Sequence, residues 1–128
     1  MGITGLGVLS SQLSGCAPLP ICKNKVSNGI ISVPFTLFTI KNNLVIVRNS
    51  QIDFDILLVK VAEGKYNALE MKCTHQDNHL TASSSGLFCS SHGSTFDLSG
   101  NATKEPAVLP LKKFKTTISN SSVEINLM

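Results

Sequence analysis

The chain has 128 residues, a length that fits one domain, and 42% of them are hydrophobic, enough for a core, although there is no Trp and one Tyr. Eleven basic and eight acidic residues leave a formal net charge of +3 at pH 7. That is too mild for nucleic-acid binding, and the lysines form no stripe with interleaved aromatics. From the N-terminus, Met1 to Leu13 is Gly-rich, mildly apolar and uncharged. It falls short of the ~18 apolar residues that a membrane helix needs.

The next four residues, Leu13-Ser14-Gly15-Cys16, resemble a bacterial lipobox, L-[AS]-[GA]-C. The resemblance implies cleavage before Cys16, a lipid on that cysteine, and a domain anchored to a membrane of the bacterial envelope and facing the periplasm. Against it, no Lys or Arg stands near Met1. A tail with a free thiol on a cytoplasmic protein, or a Cys16–Cys22 disulfide, are the other readings. Ala17-Pro18-Leu19-Pro20 and the polar Lys23 to Gly29 read as an extended spacer. Residues 1–29 are therefore expected to be a signal-like segment and flexible tether, and residues 30–128 the folded domain. Cys22 has no evident partner and is assigned no role.

From Ile30 the apolar runs are short, β-branched and separated by turn residues. They are Ile30 to Phe38, Leu44 to Val47 after the Asn42-Asn43 turn, and Ile56 to Ala62. A hairpin at Glu63-Gly64-Lys65 joins the last to Tyr66 to Lys72. A further turn falls at Leu98-Ser99-Gly100-Asn101, and a final hairpin pairs Lys113 to Ile118 with Val123 to Leu127. No stretch keeps a 3.6 period over 11 residues, so an all-β sandwich or barrel is predicted. Lys112, Lys113 and Lys115 are expected on a solvated strand edge.

Cys73 to Gly100 is rich in Ser, His, Gly and Asp and must protrude as loops. Ser83-Ser84-Ser85-Gly86 reads as a turn and Leu87-Phe88 as a short strand, giving a loop, a small hairpin and a loop. Each loop carries one ligand pair: Cys73-Thr74-His75, then, 13 residues on, Cys89-Ser90-Ser91-His92. Two thiols and two imidazoles fit two centres. One is a tetrahedral zinc in a binding module without redox activity. The other is a [2Fe–2S] cluster with Cys on one iron and His on the other. Zinc fingers more often pair like with like; here each pair mixes sulfur and nitrogen. His79 reads as an exposed loop histidine rather than a fifth ligand.

Cys73-Thr74-His75 with Leu80, then Cys89-Ser90-Ser91-His92-Gly93-Ser94-Thr95-Phe96-Asp97, resembles the Rieske signature C-x-H-x₄-L…C-x-x-H-G-x-x-[FY]-[DN]. Gly100, Pro106-Ala107 and Leu109 are similar to the G…P-A…L that follows it, whose proline loop covers the cluster. The resemblance spans about Ile30 to Met128. It implies a Rieske-type β-sandwich or barrel with a small cluster-binding subdomain of two loops, about residues 73–107. It implies Cys73 and Cys89 on the buried iron, His75 and His92 on the outer iron, and Ser94 donating its hydroxyl to a cluster sulfide. The cytochrome bc-type members carry an inter-loop disulfide and a tyrosine hydroxyl; this chain has Asn78, Ser91 and Phe96 at those places. The resemblance therefore implies a disulfide-free, ferredoxin-type protein of lower potential. Asp77, where many members have Gly, would disfavour reduction if it faced the cluster.

The function so implied is one-electron transfer, by a small ferredoxin-like carrier or by the Rieske subunit of a larger oxidoreductase. There is no mononuclear iron triad and no room for a catalytic domain, so the chain is at most a subunit of an enzyme. A redox partner protein is expected, with no nucleic acid and with a lipid anchor at Cys16 if the lipobox reading holds.

Overall fold

The structure, a computed structural model, describes residues 18–128. Cys16 and the lipobox-like residues lie outside them. Seven strands form a nearly closed barrel. They are β1 (Ile21–Cys22), β2 (Ile30–Pro34), β3 (Leu44–Val47), β4 (Ile56–Ala62), β5 (Lys65–Glu70), β10 (Lys113–Ile118) and β11 (Ser122–Asn126), in the order β1-β3-β4-β5-β10-β11-β2. Four short strands form a second sheet in sequence order: β6 (Thr81–Ser83), β7 (Gly86–Phe88), β8 (Thr95–Phe96) and β9 (Ala102–Lys104). The predicted all-β class stands.

The two-residue period of the strands builds two cores that share one wall. Val45, Val47, Ile56, Leu58 and Ala68 point into the barrel, where they meet Ile31, Val33, Val123 and Ile125. The alternate residues Leu44, Leu57, Val59 and Leu69 point out of it and meet Leu80, just before β6, and Leu87 and Phe96 of the small sheet. This is why β4 begins with four consecutive apolar residues: both of its faces are covered. The outer core is what fixes the small sheet, and with it the ligand loops, on the barrel wall.

Three local readings are corrected. Residues Ile21–Cys22 pair in parallel with Ile46 and Val47, so they belong to the barrel rather than to a spacer. Cys22 is buried and its thiol faces the Ser32 carbonyl at 3.9 Å; Asn24 donates to the same carbonyl at 2.8 Å across the seam. The Ile30 to Phe38 run stops at Pro34, which lacks a donor and ends edge strand β2, and Phe35–Leu37 turn as a 3-10 helix. The lysine-rich strand β10 is no edge, for it pairs with both β5 and β11. Its lysines are exposed because they occupy the outward alternate positions, with Phe114 turned inward.

Candidate metal centre

The small sheet gathers three loops at one of its ends. In the register Thr81↔Phe88, the residues before Thr81 and after Phe88 lie side by side. They are Leu80, which closes the first ligand loop, and Cys89, which opens the second. The pair Phe88↔Thr95 then makes Cys89 to Ser94 a tight turn, closed by Cys89 N–H to Ser94 O and Gly93 N–H to Cys89 O, both 2.9 Å. Gly93 sits there at φ 83°, a region that costs glycine nothing. The pair Thr95↔Lys104 brings the chain after β9 back to the same end, where Ala107 N–H donates to the Ser94 hydroxyl at 3.0 Å.

The first loop is closed by a bridge between Lys72 and His79, with Cys73 N–H donating to Asn78 O at 2.9 Å. Thr74 ties it to the third loop, its hydroxyl donating to Leu109 O at 2.7 Å. Every site residue named from sequence reaches this end. Cys73 and Cys89 are each 1% exposed, and the Cys73 thiol is one of the groups that act on the Cys89 thiol. His75 and His92 stand exposed, ring edge to ring face, with centroids 5.2 Å apart. Ser94 is fully buried, and its oxygen is held by Ala107. Among the described residues, no three of His, Cys, Asp and Glu converge on a point that would hold a single ion. The donors stand as a sulfur pair behind a nitrogen pair.

Electrostatics at Cys89 show a feature that sequence reasoning missed. Burial pushes its thiol pKa up, yet donors overcome that and hold it below the ordinary thiol range. They are the backbone N–H of Ser91, the Cys73 thiol, the N–H of His92 and the Ser91 hydroxyl. The tight turn after Cys89 aims its own amides back at the sulfur. The C-x-x-H spacing carried a hint of this, since a turn after a cysteine presents successive N–H groups. The Ser91 hydroxyl had no signal of its own.

Asp77, whose direction the sequence left open, and His79, read as an exposed loop histidine, have partners outside the ligand set. Asp77 lies 3.4 Å from the Lys72 ammonium, which offsets its charge. His79 packs on Phe54, with ring centroids 4.6 Å apart, and stands outside the ligand set. Phe96 is buried in the outer core.

The family described as "Rieske [2Fe-2S] domain" matches residues 26–115. Among curated proteins no sequence matches this chain. Solved structures resemble it at low identity. The complex of reduced oxygenase and oxidized ferredoxin in carbazole 1,9a-dioxygenase aligns at TM-score 0.59 and 18% identity, over 78% of this chain and 94% of the other. The ferredoxin of carbazole 1,9a-dioxygenase from Nocardioides aromaticivorans IC177 aligns at 0.54 and 17%, over 76% and 95%. The plasma membrane Rieske protein PetC3 from the cyanobacterium Synechocystis PCC 6803 aligns at 0.53 and 20%, over 77% and 86%.

Proposed function

We propose, from the premise that this chain belongs to the Rieske [2Fe-2S] domain family, that it is a small ferredoxin-like carrier passing single electrons between two partner proteins. The family's cofactor is a Rieske-type [2Fe–2S] cluster, and electron transfer through it is the chemistry the chain serves. When bound, the cluster exchanges one electron and, with four protein ligands, offers no open position to a substrate.

The donor set fits that group. The observation that carries the reading is the layering of two buried thiols behind two exposed imidazoles. Cys73 and Cys89 would hold the inner iron and keep water from it. His75 and His92 would hold the outer iron and form the exit for the electron. Ser94, its oxygen fixed by Ala107, would turn its proton to a sulfide. Thr74, through Leu109 O, and Ser94, through Ala107 N–H, clamp the third loop over the site. About residues 73–107 would form the cluster-binding part.

The carrier reading is supported by extent, because the Nocardioides ferredoxin is matched over 95% of its own length. Its acceptor would be an oxygenase-type or similar oxidoreductase component. Lipidation of Cys16 would tether the carrier to a bacterial envelope membrane; the residues Leu13-Ser14-Gly15-Cys16 support this, and a diacylglyceryl mass on the native cysteine tests it.

Purified from cells given iron, the protein is expected to be red-brown, with iron and labile sulfide in equal amounts and bands that bleach on dithionite. Cys73→Ser or Cys89→Ser removes the colour. A colourless protein holding zinc overturns the reading. Constant co-purification with a larger subunit overturns the carrier role alone.

A further inference from the structure

The barrel end away from the ligand loops carries an apolar surface that no described residue covers. A groove of about 810 Å³ opens there between the β4–β5 turn, the segment 35–43 and the end of β10. Its floor is aromatic: the Tyr66 ring lies 6.4 Å from Phe35 and 5.4 Å from Phe38 between centroids. Its rim stands in water: Ile40 is 103% exposed, Val61 56% and Ile118 49%. Single exposed aliphatic residues are ordinary, but three from three separate segments around one groove mark an interaction site.

Charge narrows the partner. Lys41 follows Ile40 and Lys65 closes the β4–β5 turn, both exposed, while Lys60 lies 3.4 Å from Glu63. The rim thus holds three lysines against one glutamate. The path of the chain adds a second observation. Strand β1 runs parallel to β3, and Pro20 O accepts from Ile46 N–H at 2.9 Å. Residues ahead of Ile21 therefore approach from the Asn43 end of β3, and Asn43 lines the groove. Residues 1–17 carry no charged side chain and include Ile3, Leu6, Val8, Leu9 and Leu13. The chain that enters the domain at its apolar, cationic end is thus uncharged and apolar, or, where it is cleaved before Cys16, begins at a lipid-bearing cysteine.

We propose that this end of the barrel is a membrane-contact surface that seats on an anionic lipid bilayer. Ile40, Val61 and Ile118 enter the interfacial layer, and Lys41 and Lys65 meet the headgroups. Apolar side chains together with cations are what interfacial binding requires. Strand β5 runs from the groove toward the ligand loops over six residues, roughly 20 Å. The seated domain therefore points His75 and His92 away from the lipid.

The chain has no Trp, so Ile40→Trp in the full chain is a single reporter. Vesicles of equal parts phosphatidylglycerol and phosphatidylcholine are expected to shift its emission to shorter wavelength, and pure phosphatidylcholine is not. Met128→Trp, at the opposite end, stays unshifted with either. Lys41→Gln and Lys65→Gln each lower partitioning about fivefold at low salt, whereas Lys112→Gln leaves it unchanged. Three results overturn the proposal. Emission already shifted without vesicles and unaltered by them places residues 1–17 in the groove. A shift that grows with protein concentration alone places a second copy there. An unshifted Ile40→Trp on a chain that still sediments with vesicles assigns binding to residues 1–17 and leaves the barrel end in water.

Discussion

At Cys89 the protein spends its local backbone on one sulfur. The amides of Ser91 and His92 and the Ser91 hydroxyl all act on it, although the residue is buried, and these remain donors when Cys73 is a deprotonated ligand. Such donors favour the more electron-rich reduced state of a bound cluster. Ser91→Ala is expected to lower the reduction potential by ~40 mV, the size of one net hydrogen bond. Ser94→Ala lowers it as well and frees Ala107 N–H, so the third loop loosens. Protein-film voltammetry checks both, and unchanged potentials remove these hydroxyls from the tuning set. With Phe96 buried and lacking a hydroxyl, the wild-type potential is expected below that of the cytochrome bc type, within the ~−150 to +300 mV Rieske span, and a value at the top of that span sinks this. The four paired donors were legible because their chemistry is carried by side chains at fixed spacing. The amides of Ser91 and His92 were not, since every residue has one and only the turn decides where it points. The Lys72–Asp77 pair joins positions five apart in an irregular loop, which no period announces.

Among the elements, the turn after Phe96 depends on one carboxylate. Asp97 accepts from Ser99 N–H and Asn101 N–H at 2.9 Å each and so starts the return into β9. The Asn101 amide, more than burial opposes it, holds the Asp97 pKa below the ordinary carboxylate range. The folded value lies under the unfolded one, so this stabilisation is full above the ordinary carboxylate pKa of about 4 and is lost as pH falls through the lowered folded value. Thermal melts should show it as an acid-side slope that Asp97→Asn flattens; an equal slope in the variant sinks the assignment. Leu57→Ala, between the shared wall and the small sheet, should cost about 2–5 kcal/mol and displace the ligand loops with it. Strands β3, β4 and β10 were readable to the residue because long alternating or doubly covered runs leave little choice. Strand β1 was not: two residues among prolines carry no period, and only the open edge of β3 recruits them. Strand β9 was hidden likewise, three residues held by pairing to β8 and by the Asp97 turn.

Across the whole molecule, stability and chemistry are divided between the two cores. The barrel core closes on itself, while the outer core depends on three loops that a cluster would cross-link. Removing the cluster with chelator is expected to leave amides of β3, β4 and β11 protected from hydrogen exchange and to expose those of residues 72–79 and 89–94. Global loss of protection would show one cooperative unit instead. A groove of about 810 Å³ lies at the far end of the barrel, away from the paired donors, which would suit the proposed carrier, whose reaction would need contact with a partner rather than a substrate cavity. The layering of buried thiols behind exposed imidazoles also governs traffic. In the carrier proposed above, donor and acceptor would both dock on the exposed imidazole face, in turn. Turnover would then be a shuttle of docking, release and redocking, and a large excess of donor is expected to slow it by occupying that shared face.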